Sequence, residues 1–161
     1  MSLNKHRPHV FVLPEDDANH AIANGFLLHP NLDLRSIQVL RNVGGWSKVR
    51  DHFESEHIAP MEQFQNRHMI LLLDFDKQET RKEEIEKAVP SHLLGRVFIV
   101  GVWSEPEDLK KAGLGSLECV GLKLAFECEN DTRNTWHHEL LRHNNSELAR
   151  MAMKLKNVVF P

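Results

Sequence analysis

The stretch Arg67-His68-Met69-Ile70-Leu71-Leu72-Leu73-Asp74-Phe75-Asp76 decides the fold. Met69 to Leu73 is the longest apolar run of the chain. It is far short of the roughly 20 residues of a membrane span and carries no helical period, so it reads as a strand buried on both faces. Two carboxylates follow it at once, at the strand's C-terminal end.

Outward from this run the same pattern recurs. His9 to Leu13 (His-Val-Phe-Val-Leu), Ser36 to Val43 and Arg96 to Trp103 are the other apolar runs and read as strands. Between them lie segments of helical period. Ala18, Ile22 and Phe26 recur every four residues, with Asp17 as the expected cap and His29-Pro30-Asn31 as the stop. Trp46, Val49 and Phe53 mark a second helix after the turn Gly44-Gly45. Thr80 to Val89 is a charged helix that buries Ile85, Ala88 and Val89 and ends at Pro90. Ser104 and Glu107, with Pro106 in the first turn, have the spacing of a capping box for a short helix that Gly113 ends.

The last third is helical. Ser116 to Glu129 fits a helix through Leu117, Val120, Leu124 and Cys128, and fits a strand through Val120, Leu122, Leu124 and Phe126; its length and the capping Ser116 favour the helix. Trp136 to Lys156 reads as helical with a break at Asn144-Asn145 and Ser146 as a new cap. Strands that are solid apolar runs, alternating with helices, imply an α/β fold: an open, Rossmann-like parallel sheet of about four strands with helices on both faces and a helical C-terminal third. The 161 residues suit one domain, with a core over about 9–110 and a helical extension over about 116–161.

Composition sets outer limits. Lys+Arg is 20 against 23 for Asp+Glu, a net charge of −3, which excludes a generally basic nucleic-acid binder while leaving room for a local basic face. Nothing in the sequence suggests a membrane partner. The two cysteines, Cys119 and Cys128, read as reduced core residues, and the opening Met-Ser-Leu-Asn-Lys-His has no apolar stretch of signal type, so the expected location is cytoplasmic.

In parallel sheets chemistry collects at the C-terminal strand ends, and three of these ends are acidic here: Glu15-Asp16-Asp17, Asp74-Phe75-Asp76 and Ser104-Glu105-Pro106-Glu107-Asp108. Hard oxygen ligands gathered at one edge suit Mg²⁺ or Mn²⁺. Strand alternation aims the Asp74 and Asp76 carboxylates the same way, so both are expected to reach one metal, with Glu105 able to complete a second site. Asp16 and Asp17 equally fit ordinary helix-start residues.

A Glu after the first strand and Asp-x-Asp after the third resemble the Toprim domain of topoisomerases, bacterial primases and small repair nucleases, over about His9 to Lys110. The resemblance implies that Glu15 is the general acid/base and that Asp74 and Asp76 bind Mg²⁺ for chemistry at a phosphodiester, as in a nuclease. The family places Gly after the Glu and an acid a few residues on; here those positions hold Asp16 and Asn19, which puts this chain nearer the diverged Toprim-like proteins of bacterial genomes.

Gly45, Lys48 and Lys77 are the expected phosphate or nucleic-acid contacts, the first two from a glycine turn that opens a helix. Arg81-Lys82 and Lys110-Lys111 could flank a bound backbone. His137, His138 and His143 do not share a helical face, but with Trp136, Arg142 and Arg150 they could form a partner surface. The alternative function is a non-catalytic interaction module with a protein partner from the same operon, in defence or repair. A receiver-like phosphate-signalling domain ranks lower, because no clear fifth strand with its Lys follows, and a haloacid-dehalogenase-like site lower still, because Gln78 stands where that family has Thr or Val.

Overall fold

The computed structural model describes residues 2–161. Its elements, in order, are β1 (His9–Pro14), α1 (Asp17–Phe26), β2 (Ile37–Val39), α2 (Trp46–His52), a π-helical turn (Phe53–His57), α3 (Ile58–Gln63), β3 (Arg67–Leu72), α4 (Arg81–Glu86), a 3₁₀ turn (Ser91–Arg96), β4 (Val97–Val100), α5 (Pro106–Lys111), α6 (Leu117–Asn130), a second 3₁₀ turn (Arg142–Asn144) and α7 (Asn145–Val159). The four strands form one parallel sheet in the order β2-β1-β3-β4. In register, His9 to Pro14 lie beside Arg67 to Leu72. No helix among the described residues is long and apolar enough to cross a membrane.

The apolar runs of β1 and β4 are buried on both faces, as expected, whereas in β3 Met69 and Leu71 are buried and Ile70 and Leu72, on the other face, only partly so. Phe11, Leu13, Met69, Leu71 and Ile99 point to a core closed by Val49 and Phe53, Met61 of α3 and Ile85 of α4. Val10, Val12 and Phe98 point the other way, against Ala23 of α1, Ala125 of α6 and Leu155 and Val159 of α7. Every residue of β1 and of β4 is buried, which is why neither run alternates with polar residues.

Several local expectations change. Regular pairing of the second strand covers only Ile37–Val39; beyond it the Leu40 and Val43 amides still donate to Val12 and Pro14 carbonyls, at uneven intervals. The helix expected at Thr80 to Val89 is regular only over Arg81–Glu86, though Ile85 and Val89 are buried as read. The capping box does not form: Glu105 occupies the N-cap of α5, and the Ser104 hydroxyl is buried without a partner. The region after Asn130 is helical only from Asn145. Trp136 is core, because the Glu127 carboxylate accepts the backbone N–H groups of Thr135 and Trp136 and pins this segment to α6 as turns. That removes Trp136 from the expected partner surface. Arg150 leaves it too, since it is spent on Glu147 and on the Leu94 and Val97 carbonyls. The reading of Ser116 to Glu129 as a helix holds, with the Ser116 hydroxyl accepting from the Cys119 amide. Cys119 itself is exposed, not core.

Candidate metal centre at the strand ends

The connection from β1 runs to β2 on one side, and β3 pairs on its other side, so the crevice between the β1 and β3 ends is the switch point of the sheet. Glu15 leaves β1 there with its amide bonded to the Leu72 carbonyl. Its carboxylate turns across the crevice and accepts the Asp74 amide at 2.6 Å. Asp16, in extended conformation, is the N-cap of α1 and accepts the Asn19 amide at 3.0 Å. The cap is therefore one residue before the expected Asp17, which lies exposed in the first turn.

Asn19 joins these groups. It is fully buried, and its side-chain NH₂ donates to Asp16 Oδ1 at 2.9 Å and to Asp74 Oδ1 at 2.8 Å. One oxygen from each of Glu15, Asp16 and Asp74 lies within 4.8 Å of the others. Three carboxylates that close repel one another; the Asn19 donors hold Asp16 and Asp74, and the Asp74 amide holds Glu15. The side-chain oxygen Oδ1 of Asn19 is buried without a partner.

The electrostatics follow from this geometry. Burial raises the Asp74 carboxyl to about 7; the charges of Glu15, Asp16 and Asp76 push the same way, and the Asn19 hydrogen bond pulls it back. Burial also raises the Glu15 carboxyl, aided by Asp16 and Asp76 and opposed by the Asp74 amide and Arg81.

Asp76 stands apart from the group of three. The chain leaves the sheet between Asp74 and Asp76, with the Phe75 amide on the Val102 carbonyl, and Asp76 and Lys77 take left-handed φ values of 48° and 60°. The alternation expected of Asp-x-Asp does not survive that turn. The Asp76 carboxylate, half exposed, binds the Arg81 guanidinium at 2.9 Å, and the same Arg81 nitrogen donates to the Asp74 carbonyl at 2.9 Å. Arg81 is buried and stacked on Trp46 at 4.5 Å, so it is an internal strut beneath the site and not a surface cation. Lys82 reaches Glu147 at 3.5 Å.

The other expected residues are spread around the rim. Gly44 has φ 96°, a conformation that favours glycine, and its amide donates to the Glu15 carbonyl at 2.7 Å, so the Gly44-Gly45 turn lies against the acid crevice. Gly45 is the N-cap of α2, and Lys48 is exposed in its first turn, without an ion pair among the described residues. Lys77 is exposed beside Asp76. Glu105 is exposed at the N-cap of α5 and does not belong to the group of three. By residue order Asp16 fits a helix-start residue as well as an acid of the strand end, and Asn19 has no role; the signal that joins them is the cap-to-third-residue spacing of Asp16 and Asn19 beside Glu15.

Against models of known protein families, curated proteins and solved structures, the chain gives no match.

Proposed function

We propose that this chain is a Toprim-like domain that binds Mg²⁺ or Mn²⁺ through Asp16 and Asp74, with Glu15 beside them as general acid/base, and performs phosphodiester chemistry on nucleic acid. The observation that carries this reading is the convergence of three carboxylates within 4.8 Å at the switch point of a parallel sheet. The donor set fits such an ion: all oxygen, hard and anionic. The cost of three close, part-buried carboxylates needs an offset, and a divalent cation supplies one. When bound, the metal would neutralise a phosphate and polarise a water.

The protein's own groups have distinct tasks in this reading. Asp16 and Asp74 are metal ligands held by Asn19. Glu15, with its raised pKa and its anchor on the Asp74 amide, moves a proton. Arg81 fixes the loop through Asp74 and Asp76. Lys48 and Lys77 are the exposed cations placed to meet a polyanion's backbone.

The test is Mg²⁺- or Mn²⁺-dependent hydrolysis of single- and double-stranded DNA and RNA. Hydrolysis lost in both Glu15→Gln and Asp74→Asn, with folding intact, supports the proposal. Metal binding without hydrolysis of any of these substrates would replace it with the metal-stabilised interaction module. No metal binding at all would end both.

A further inference from the structure

At the end of the sheet opposite the acid crevice lies a buried cation. Arg67 opens β3 and is 5% exposed. Its guanidinium sits against two aromatic rings, Phe11 at 4.3 Å and Phe64 at 4.6 Å. Its Nε–H donates to Nε2 of the fully buried His9 at 3.0 Å. Nδ1 of His9 meets the Arg7 carbonyl at 2.7 Å, so His9 carries its proton there and leaves Nε2 free to accept. Arg96 fixes the backbone of both Phe64 and Arg67, donating to their carbonyls at 3.1 and 2.9 Å.

What this guanidinium lacks is an anion. Arg67 makes no ion pair among the described residues, and its terminal nitrogens Nη1 and Nη2 have no hydrogen-bond partner among them. Neither nitrogen is sealed from solvent, in contrast to the enclosed and unpartnered Nε of Arg81. Burial alone lowers the basicity of Arg67, and no carboxylate opposes it; an arginine nonetheless stays charged. A charge withdrawn from water is normally paired. Here two rings and one imidazole replace part of the lost hydration and leave both terminal NH₂ groups bare. Lys5, exposed and likewise without an ion pair among the described residues, stands over the same Phe64 ring at 5.9 Å.

We infer that Arg67 and Lys5 form a binding site for a phosphate dianion, free or as a small phosphate monoester, which the Nη1 and Nη2 fork receives while Lys5 supplies a second positive charge. The planar fork matches two phosphate oxygens, and a lysine adds a point charge. Two cations with no acid between them favour a dianion over a carboxylate. Stacking and the His9 hydrogen bond set the fork before a ligand arrives, so binding orders little. The inference does not rest on the metal reading. Arg67 begins β3 and Asp74 follows its other end, roughly 20 Å away at about 3.3 Å per residue.

Inorganic phosphate tests it, added in chelator so that the acid crevice takes no part. The reporter is the Arg67 Nε–H signal in NMR, assigned by its contacts with the Phe11 and Phe64 rings. Phosphate is expected to move this signal and raise the melting temperature. Sodium chloride at matched ionic strength should do neither, and acetate should bind more weakly than phosphate. Lys5→Ala should weaken phosphate binding roughly twofold to fivefold, the worth of one exposed ion pair. Arg67→Lys keeps a charge and a donor for His9 but has no fork, and should lose the phosphate response. If it does not fold, Lys5→Glu reverses a surface charge without touching the core and should weaken binding more than Lys5→Ala does. An unmoved Arg67 signal in tens of millimolar phosphate, an equal response to sodium chloride, acetate binding as tight as that of phosphate, or undiminished binding in folded Arg67→Lys or in the Lys5 variants would each overturn the inference.

Discussion

The carboxyl of Asp74 titrates at about 7 because burial strips its water and Glu15, Asp16 and Asp76 oppose its charge. Its folded value lies above the ordinary 3.8, so the folded state holds this proton more tightly than the unfolded chain. That contribution to stability is complete below about 4 and is lost as pH rises to about 7. Asp74→Asn cannot lose it. Compared in chelator, the variant should therefore gain on the parent as pH rises through this window, by roughly 2 to 4 kcal/mol at neutral pH in urea unfolding. Asn keeps an oxygen for the Asn19 donor, so the comparison isolates charge. Mn²⁺ should reverse the ranking, stabilising the parent by mass action and leaving the variant unmoved. Acids that served only as caps would show neither effect.

Two joints between elements set where the site residues stand. Helices α1 and α6 cross at Gly25 and Gly121, so closely that a Cβ on Gly121 would sit 2.0 Å from the Ile22 carbonyl oxygen and one on Gly25 2.1 Å from that of Glu118. Since α1 carries Asp16 and Asn19, this crossing also positions the crevice. Gly121→Ala should cost about 2 to 3 kcal/mol in denaturant unfolding, as overpacking does, and should lower Mn²⁺ affinity as α1 shifts. The second joint is the outer edge of β4. Glu147 accepts the Ile99 amide at 2.8 Å, Asn144 both accepts from and donates to Gly101, and Arg150 donates to the Leu94 carbonyl at 2.7 Å. These side chains take the place of a fifth strand and blunt an edge that would otherwise invite pairing. Glu147→Ala should lose about 1 to 3 kcal/mol and make association concentration-dependent in light scattering, whereas Glu147→Gln, which keeps the acceptor, should remain monodisperse relative to it.

Across the molecule, buried and part-buried imidazoles oppose the acids in the same pH range. His57 and His143 are lowered to about 4, chiefly by burial, and His9 and His68 are lowered as well. Their folded values lie below the ordinary 6.5, so the stability they contribute is present above that pH and is lost as pH falls toward 4. The pH profile of the whole protein is thus a difference between two opposed sets, and only variants separate them. His143 packs edge-on against Phe75 at 4.8 Å and near Trp103 at 5.3 Å, and neither of its ring nitrogens has a partner of ordinary hydrogen-bond geometry. His143→Phe should fit this aromatic nest, remove a proton-binding group from the unfolded state and move the acid-unfolding midpoint to lower pH, read by near-ultraviolet circular dichroism between pH 7 and 3. A midpoint unchanged or raised would show that another group governs acid unfolding.

The strands were legible from residue order because solid apolar runs such as Val10 to Leu13 and Val97 to Val100 have nowhere to go but a site covered on both faces, whatever their neighbours. The helix at Leu117–Asn130 was legible for a related reason: a Ser cap and a long apolar period are local properties. The gathering of acids at one end followed from parallel topology alone. Which acids meet is a different kind of fact. Glu15 and Asp74 are 59 and Asn19 and Asp74 are 55 positions apart along the chain, counted from the hydrogen-bonded pairs they form. Their contact depends on β1 pairing with β3 and on α1 being drawn down by α6. Asp76 is drawn from the group because the chain turns at Asp76 and Lys77, just past the Phe75 to Val102 pairing, and leaves its carboxylate to Arg81. Trp136 sits in the core because Glu127 holds its backbone, a pairing no period in the sequence announces. Periodicity reports how each segment is wetted; distances between segments are set by packing, and there the chemistry of the site was decided.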